Sequence, residues 1–568
     1  MSAGNYSVLI GGKPWANADK ADLITVSRTL NAAAVAEVHI GGYSPGVGWD
    51  LDIPKVGAAL ALKISEGTEK PASVFVGEVV GLEVFGSGSS RRLVVRAMDR
   101  ARDLMFGPEP SVHANLSYAG VIKKLASGMA TSTHRSLDST QDYLAVTGTA
   151  MEFIDDVCHR FGLSWWLDTA GKKLHVDRVD VNGTSTHHKV DVVAIEGRID
   201  ASATPSKVTV AGWDAAEQKP TTDNDSAEDL AKKMGNPSRI VGSPVLDAKE
   251  AKSVASGVAS RASRAVESAT VNIGFLGKLE LGDSVELDET YGVVSAKQRV
   301  TGFEHRLSPG DVGTIIELGG PEERELADLI GDRGTGDPWA TNGPVIGVVS
   351  NNGDPEKLGR VKVKFPVLDG NFETGWARVL TLRAGKKAGF RATPAMNDEV
   401  LVVFEQGDAR RPIVLGGLFN KKNQPMPASG KDPSVETEIV TGDKVVTLLM
   451  SALDGKEQTR LETKGGKTDV SFVQNDKGVT IEAGKGDVVL KTAGGSITLK
   501  ANGDITLEGK NVTIKAKGDV SLDGMNVNAK GKTGAKLEGT QVSVKASGKG
   551  EVSSSGILQV KGSLTQIG

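Results

Sequence analysis

The sequence predicts a mainly β protein with an α+β front part, ending in a β-helical needle that a homotrimer completes. Three observations carry this. Apolar pairs recur about every eight residues from Lys477 to the end, five runs rich in β-branched residues crowd into 336–421, and strand patterns alternate with helical ones before residue 335. A chain of 568 residues exceeds what one hydrophobic core can organise, so several domains are expected.

The needle is read from its rhythm. Gly478 precedes Val479/Ile481, Gly486 precedes Val488/Leu490, Gly495 precedes Ile497/Leu499, Gly503 precedes Ile505/Leu507, Asn511 precedes Val512/Ile514 and Gly518 precedes Val520/Leu522. Looser copies continue at Val527, Leu537, Val542/Val544, Val552 and Leu558/Val560. Alternation of apolar and polar residues marks a strand with one buried face, and the Gly or Asn supplies the turn. Such a strand is too short to bury its apolar row alone, so the copies must stack on one another or on other chains. A single-chain β-helix needs coils of roughly twenty residues, whereas about eight give one strand and one turn. Three chains wound about a common axis fit the shorter period. The residues expected to face that axis are Ile497, Leu499, Ile505, Leu507, Val512, Ile514, Val520 and Leu522, within an array spanning 471–568. About eleven repeats at the usual strand spacing would stack to roughly 50 Å on each face. After Leu418 and Phe419 the only aromatic is Phe472, the last Arg is Arg460 and the last Pro is Pro433, a composition suited to a stiff rod rather than an adhesive surface.

Residues 336–421 read as a small barrel of OB type. Runs at Pro344–Ser350, Gly359–Phe365, Thr374–Leu382, Glu399–Phe404 and Pro412–Leu418 are separated by turn signals at Asn352-Gly353-Asp354, Asp369-Gly370-Asn371 and Gln406-Gly407-Asp408. Such barrels often bind oligonucleotides, and Lys362, Lys364, Arg378, Arg383, Lys386 and Lys387 are available. The few aromatics (Phe365, Phe372, Trp376, Phe390 and Phe404) mostly adjoin strand patterns, where core packing explains them, and no nucleic-acid partner is expected. A connector is assigned to 422–470.

In the front part, strands are expected at Tyr6–Ile10, Leu23–Arg28, Ala36–Ile40, Ala59–Ile64, Ser73–Val84 and Arg92–Asp99. Helices are expected at Tyr118–Ser127 and at Ala150–Phe161, where Met151, Ile154, Val157, Cys158 and Phe161 share one face and Gly162 ends the helix. A hairpin, Leu163–Leu167 with Lys173–Val176, follows. A further helix is expected from Asp247 to Val266, with Asp247 and Glu250 as a capping box.

Several segments carry a family resemblance. Gly359-Arg360-Val361-Lys362-Val363-Lys364-Phe365-Pro366, Trp376-Ala377-Arg378-Val379 and Asp398 to Asp408, continuing through Arg411-Pro412-Ile413-Val414-Leu415-Gly416, resemble the OB domain of the VgrG family and of phage tail spikes. Met151 to Leu163 with Trp165-Trp166, Leu281-Gly282-Asp283-Ser284-Val285, Arg299 to His305 and Gly313 to Leu318 are similar to the tail-hub half of that family. The resemblance implies a hub at 1–335, with two tube-like β-barrels and α/β insertions per chain, so that three chains present a pseudo-sixfold ring to an inner tube. It also implies baseplate components as partners, and a PAAR-repeat tip protein seated on the three chain ends. Leu564, Gln566, Ile567 and Gly568 are the expected platform for that protein. Some proteins of this kind carry a lysozyme between barrel and needle or an effector after the needle; here the connector from Asn420 to Lys467 is too short for a lysozyme, and no fused effector is expected, leaving cargo to be carried.

No chemistry competes with this mechanical reading. All eight histidines (His39, His113, His134, His159, His175, His187, His188 and His305) precede the needle and lack metal-ligand spacing. The adjacent His187 and His188 are expected in a surface or turn role. Gly465-Gly466-Lys467-Thr468 lacks the earlier Gly of a phosphate loop, and Glu436, Glu438 and Asp443 are explained as an exposed connector. We therefore expect no catalytic residues, cofactor or metal. The lone Cys158 excludes an intrachain disulfide and is expected in the core. Net charge is −4, and neither a signal peptide nor a membrane-spanning stretch is evident. The chain is expected to be made in the cytoplasm and to join an injection particle, more readily an extracellular phage-tail-like one than a type VI secretion system, touching a membrane only during puncture. The competing expectation is a glycan-degrading tailspike enzyme.

Overall fold

The computed structural model describes residues 4–42, 52–66, 70–87, 90–106, 111–146, 148–179, 186–202, 204–214, 219–226, 229–242, 248–288, 292, 294–319, 343–365, 369–386, 388–425, 427, 432–441, 446–464 and 469–566. They divide into two compact units, Met1–Pro425 and Met426–Gly568.

The first unit is built on a 13-stranded sheet. Its N-terminal portion pairs Gly4–Ile10, Ala21–Thr29, Val35–Gly42, Ala59–Glu66, Ala72–Ser87 and Ser90–Met98 antiparallel. The first five contain the strands read from the sequence, and the sixth ends at Met98, one residue short of the expected Arg92–Asp99. Every second residue points inward: Ile24 and Val26, then Ala36, Val38 and Ile40, then Leu60, Leu62 and Ile64 are all buried in one cluster. The sheet continues through Val192–Ile199, Glu267–Gly274, Lys297–Ser308 and Asp311–Gly319, which enclose a second cluster around Val271, Val285, Val300, Phe303 and Ile316. The two portions join where Lys297–Ser308 runs antiparallel to Ala21–Thr29, with Phe303 opposite Arg28 and His305 opposite Val26. One sheet thus serves two cores.

His305 sits at that seam, 1% exposed, between the rings of Phe303 and Phe275 (4.9 and 5.2 Å), with Nδ1 3.0 Å from the Thr314 hydroxyl. Burial first, and the Arg28 guanidinium second, pull its pKa down from 6.5 to about 3. A histidine held neutral this way contributes its full stability above pH 6.5 and loses it as the pH falls toward 3. The chain is expected to lose roughly 2 kcal/mol from this group between pH 7 and pH 5. Thermal melting of wild type against His305→Leu checks it: the variant's melting temperature should depend less on pH over that range.

Between the portions lies an α/β insertion. Helices α1 (Tyr118–Leu125), α2 (Ala150–Phe161), α3 (Asp229–Lys233) and α4 (Ala248–Arg264) pack with short sheets formed by Ser111–Ser117 with Thr140–Val146, by Ala130–Thr133, Ser164–Leu167 and Lys173–Asp177, and by Lys207–Asp214, Lys219–Ser226 and Arg239–Gly242. The α2 bounds are those expected, and Cys158 is buried on its inner face beside Ile154, Val157 and Phe161. A capping box that the sequence reading passed over opens the helix: the Thr149 hydroxyl accepts from Glu152 N at 3.1 Å, and the Glu152 carboxylate accepts from Thr149 N at 2.7 Å. Gly162 ends it at φ 63°, against Gly257 of α4. A Cβ on Gly162 would lie 2.1 Å from the Gly257 carbonyl oxygen, so only two glycines let these helices approach so closely. The capping box expected for α4 rests on Asp247, which lies outside the described residues.

The barrel follows, as a six-stranded sheet of Val345–Asn351, Lys362–Phe365, Asp369–Glu373, Arg378–Val379, Glu399–Phe404 and Pro412–Gly417. Val349, Val361, Val363, Phe365, Val400, Val402, Phe404 and Val414 fill it, with the Phe365 and Phe404 rings 5.7 Å apart. Two expectations need correction. Asp369-Gly370-Asn371 lies within the strand Asp369–Glu373, where Asp369 pairs with Phe365 and Glu373 with Lys364 across a register shift that leaves the intervening residues without ladder partners. The run Thr374–Leu382 shrinks to Arg378–Val379 plus a single bridge between Val361 and Ala377, because the buried Thr374 hydroxyl takes the Val363 N–H that a ladder would use.

A buried polar cluster ties this barrel to the insertion. The Tyr143 hydroxyl donates to the Ala409 carbonyl. Arg410 donates to Gln141 at 2.6 Å, to Glu250 at 3.2 Å and to Asp408 at 2.6 Å, and Arg160 donates to Glu250 at 3.0 Å. The Asp408 side chain is fully buried and that of Arg410 4% exposed. Burial pushes the Asp408 carboxyl up, but the Arg410 guanidinium outweighs it and holds the group below its ordinary range.

Candidate functional site: the repeat array

The second unit opens with a five-stranded antiparallel meander of Glu436–Val440, Val446–Ser451, Gln458–Thr463, Val470–Asn475 and Gly478–Ala483. The first three strands lie inside 422–470, read from sequence as a connector; their irregular spacing hides them from an octad search. The ladder places Ile439, Leu448, Leu461, Phe472 and Ile481 in one row across all five strands. Ile439, Leu461, Phe472 and Ile481 are exposed and Leu448 half-buried, so most of the row lies open. Glu436 accepts from the Ser451 hydroxyl at 3.1 Å, an ordinary ladder contact; Asp443 lies outside the described residues, as does Gly465-Gly466-Lys467-Thr468.

Three more strands follow: Val488–Thr492, Gly495–Leu499 and Ile505–Gly509. The turn before the last is set by Gly503 at φ 90°, whose N–H donates to the Lys500 carbonyl, while Lys500 N–H donates to Asp504 O. Register puts Val488 opposite Leu499 opposite Ile505, and Leu490 opposite Ile497 opposite Leu507. The strands thereby bring together Ile497, Leu499, Ile505 and Leu507, four of the eight expected core residues, on a single face. Among the described residues nothing covers that face: Ile505 is 69% exposed and Leu507 53%.

Beyond Gly509 the described backbone has no assigned helix or strand and bends at 517–518, 524–525, 532–533, 540–541, 547–548, 555–556 and 563–564, a spacing of seven or eight residues. The octad rhythm is therefore a backbone feature as well as a sequence one. Among the described residues from 510 onward there is no strand ladder and no backbone-to-backbone hydrogen bond. Val512, Ile514, Val520 and Leu522 lie exposed in the stretches between bends, with no partner row. At the end, Leu564 and Gln566 are exposed, and Ile567 and Gly568 lie outside the described residues. Unpaired backbone and alternating apolar side chains without partners among the described residues are what strands leave open until neighbours arrive.

Elsewhere the histidines have ordinary partners. In the strand His187–Val190, His188 Nε2 lies 2.9 Å from Asp283 Oδ2, and His187 faces Ser284 and Glu286 at 3.1 and 3.0 Å. Among the described residues no three His, Cys, Asp or Glu side chains gather as a metal site, and no helix is long and apolar enough to cross a membrane. On the barrel, Trp376 is half-buried beneath the Lys362 ammonium, 5.5 Å from its ring, and forms no open stacking platform.

Residues 345–419 match the family model described as the type VI secretion system/phage-baseplate injector OB domain. A chain in the Francisella PdpA–VgrG complex superposes with a TM-score of 0.54 at 9% identity, covering 85% of this chain and 80% of that one. The chain is VgrG-like. The likeness extends to sequence over a shorter stretch. The VgrG-like chain is 32% identical over 147 residues to the actin cross-linking toxin VgrG1 of Vibrio cholerae, covering 24% of this chain and 13% of that protein. It is 35% identical over 142 residues to the type VI secretion system spike protein VgrG2a of Pseudomonas aeruginosa, covering 23% of this chain and 16% of that one. The matched stretch thus spans under a fifth of these curated relatives. The mainly β architecture with an OB-type barrel is as the sequence predicts.

Proposed function

We propose that this VgrG-like chain is the structural hub and puncturing spike at the tip of a contractile injection system, acting as a homotrimer without enzymatic activity. One observation carries the reading: an array that, beyond Gly509, bends every seven or eight residues with its apolar residues exposed and its backbone unpaired among the described residues. Three copies wound together give each strand a neighbour and each apolar row an interior. Covering Ile, Leu and Val side chains contributes about 1.5–3 kcal/mol apiece, so the eight needle residues alone supply a strong drive to assemble. In this role the front part seats the inner tube and meets baseplate components, the barrel joins hub to needle, and the needle bears a PAAR-type tip protein or cargo into a target envelope. Nucleic acid has no part in it, and contact with a membrane is transient.

Between settings we favour a phage-tail-like particle released from the producing cell over a type VI apparatus. The chain would be made in the cytoplasm and leave within the particle. Neighbouring genes test this: tail-fibre and AAA-ATPase genes are expected, and a membrane complex would reverse it. The hub role is tested by co-expression with the inner tube protein of the same gene cluster, where tubes capped at one end by this chain are expected. Incubation with peptidoglycan and capsular polysaccharide should release no fragments; cleavage abolished by one carboxylate substitution would install a tailspike enzyme in place of this reading.

A further inference from the structure

Charge is unevenly spread along the array. After Asp523 the chain has no aspartate; residues 525–568 hold Lys530, Lys532, Lys536, Lys545, Lys549 and Lys561 against only Glu538 and Glu551, leaving +4 on a chain whose total is −4. Residues 469–524, by contrast, hold seven lysines against eight acids (Asp469, Asp476, Glu482, Asp487, Asp504, Glu508, Asp519 and Asp523). The two glutamates of the distal stretch are engaged locally, Glu538 by Lys536 and Glu551 by Lys549 at 2.6 Å. Lys530, Lys532, Lys545 and Lys561 are exposed, and no acidic partner lies against them among the described residues. The distal half of the array is therefore a cationic sleeve following a nearly neutral shaft.

The chemistry of the sleeve indicates what it attracts. It contains lysine and no arginine, tyrosine or tryptophan, the residues that anchor specific protein interfaces. It has no aromatic ring on which a nucleobase could stack. Lysine is a compact, strongly hydrated point charge that acts at range without demanding fixed geometry, which suits a dense and laterally mobile field of anions. We infer that the distal array binds a bilayer surface bearing anionic phosphate headgroups, attracting the leading end of the spike to the envelope before it is crossed. The inference rests on the proposed needle for the number of lysines acting together: each chain supplies four unpaired ones and an assembled trimer triples them.

Flotation of the full chain with lipid vesicles tests this, its mass being measured by light scattering in the same buffer so that loss of assembly and loss of binding are read separately. Wild type should float with vesicles containing phosphatidylglycerol at about 0.05 M salt, should be released at about 0.5 M as screening shortens, and should ignore pure phosphatidylcholine. Replacing Lys530, Lys532, Lys545 and Lys561 together by Gln should weaken binding at least tenfold. The same charge change at Lys477, Lys485, Lys491 and Lys510 should weaken it less than threefold. A trimer that fails to float, or equal losses in the two quadruple variants, overturns the inference and leaves the needle standing. Release by millimolar inorganic phosphate at constant ionic strength would reassign the lysines to free phosphate, and binding to duplex DNA without binding to vesicles would reassign them to nucleic acid; either outcome overturns the membrane assignment.

Discussion

Changing Ile505→Asp and Leu507→Asp together is expected to convert the assembled protein into single chains and to abolish the heat resistance of the array. The two residues occupy the edge strand of the last hydrogen-bonded sheet, opposite Leu499 and Ile497, on a face that one chain leaves open. If three such faces meet, the double substitution puts six carboxylates into an interior of Val, Ile and Leu with no cation to pair them. Burying an unpaired charge costs several kcal/mol per group even after relaxation, which exceeds what the same positions gain as apolar residues. Light scattering before and after heating checks it. A double variant that stayed trimeric and resistant would mean that this face looks outward. Lys510→Asp, a neighbouring change on a polar position, should leave assembly intact and serves as the control.

Arg410→Ala is expected to cost about 3–5 kcal/mol of stability, because it strands the Asp408 carboxylate with no exposure to water and removes a guanidinium shared with Gln141 and Glu250. The loss concerns the attachment of the barrel to the insertion as well as the barrel itself, so limited proteolysis should separate 336–421 from the helices at temperatures where wild type resists. Replacing both partners, Arg410→Met with Asp408→Leu, should cost less than the sum of the single changes, since no uncompensated charge remains. pH acts in a definite direction. The carboxyl of Asp408 is held below its ordinary 3.8, so its contribution is complete above that value and disappears as the pH falls further. A melting temperature for Arg410→Ala equal to wild type would remove the cluster from any role in holding the barrel.

Much of this architecture was legible in the sequence because the signals were local. Alternation placed the N-terminal strands within a few residues of their observed ends, and α2 spans Ala150–Phe161 as its apolar spacing and Gly162 require. The octads of the array reappear as backbone bends. Pairings between distant segments were not legible: nothing at 21–29 or 297–308 announces that these strands join two cores, since register across that separation is set only when the sheet closes. The junction was hidden for a related reason. Asp408 and Arg410 look like loop charges, and only the approach of α2 and α4 turns them into a buried cluster. At Asp369-Gly370-Asn371 residue preference favoured a turn, but pairing at Asp369 with Phe365 and at Glu373 with Lys364 drew the segment into a strand. Of the expected core residues of the needle, Ile497, Leu499, Ile505 and Leu507 share a face, whereas Val512, Ile514, Val520 and Leu522 have no ladder partner among the described residues to position them.

The mass of the purified chain in dilute solution tests the central claim most directly. Three times 59.3 kDa, unchanged on dilution, is the predicted result. A well-folded species of 59.3 kDa, with the array protected from protease, would contradict it, because the apolar rows would then have found cover within one chain.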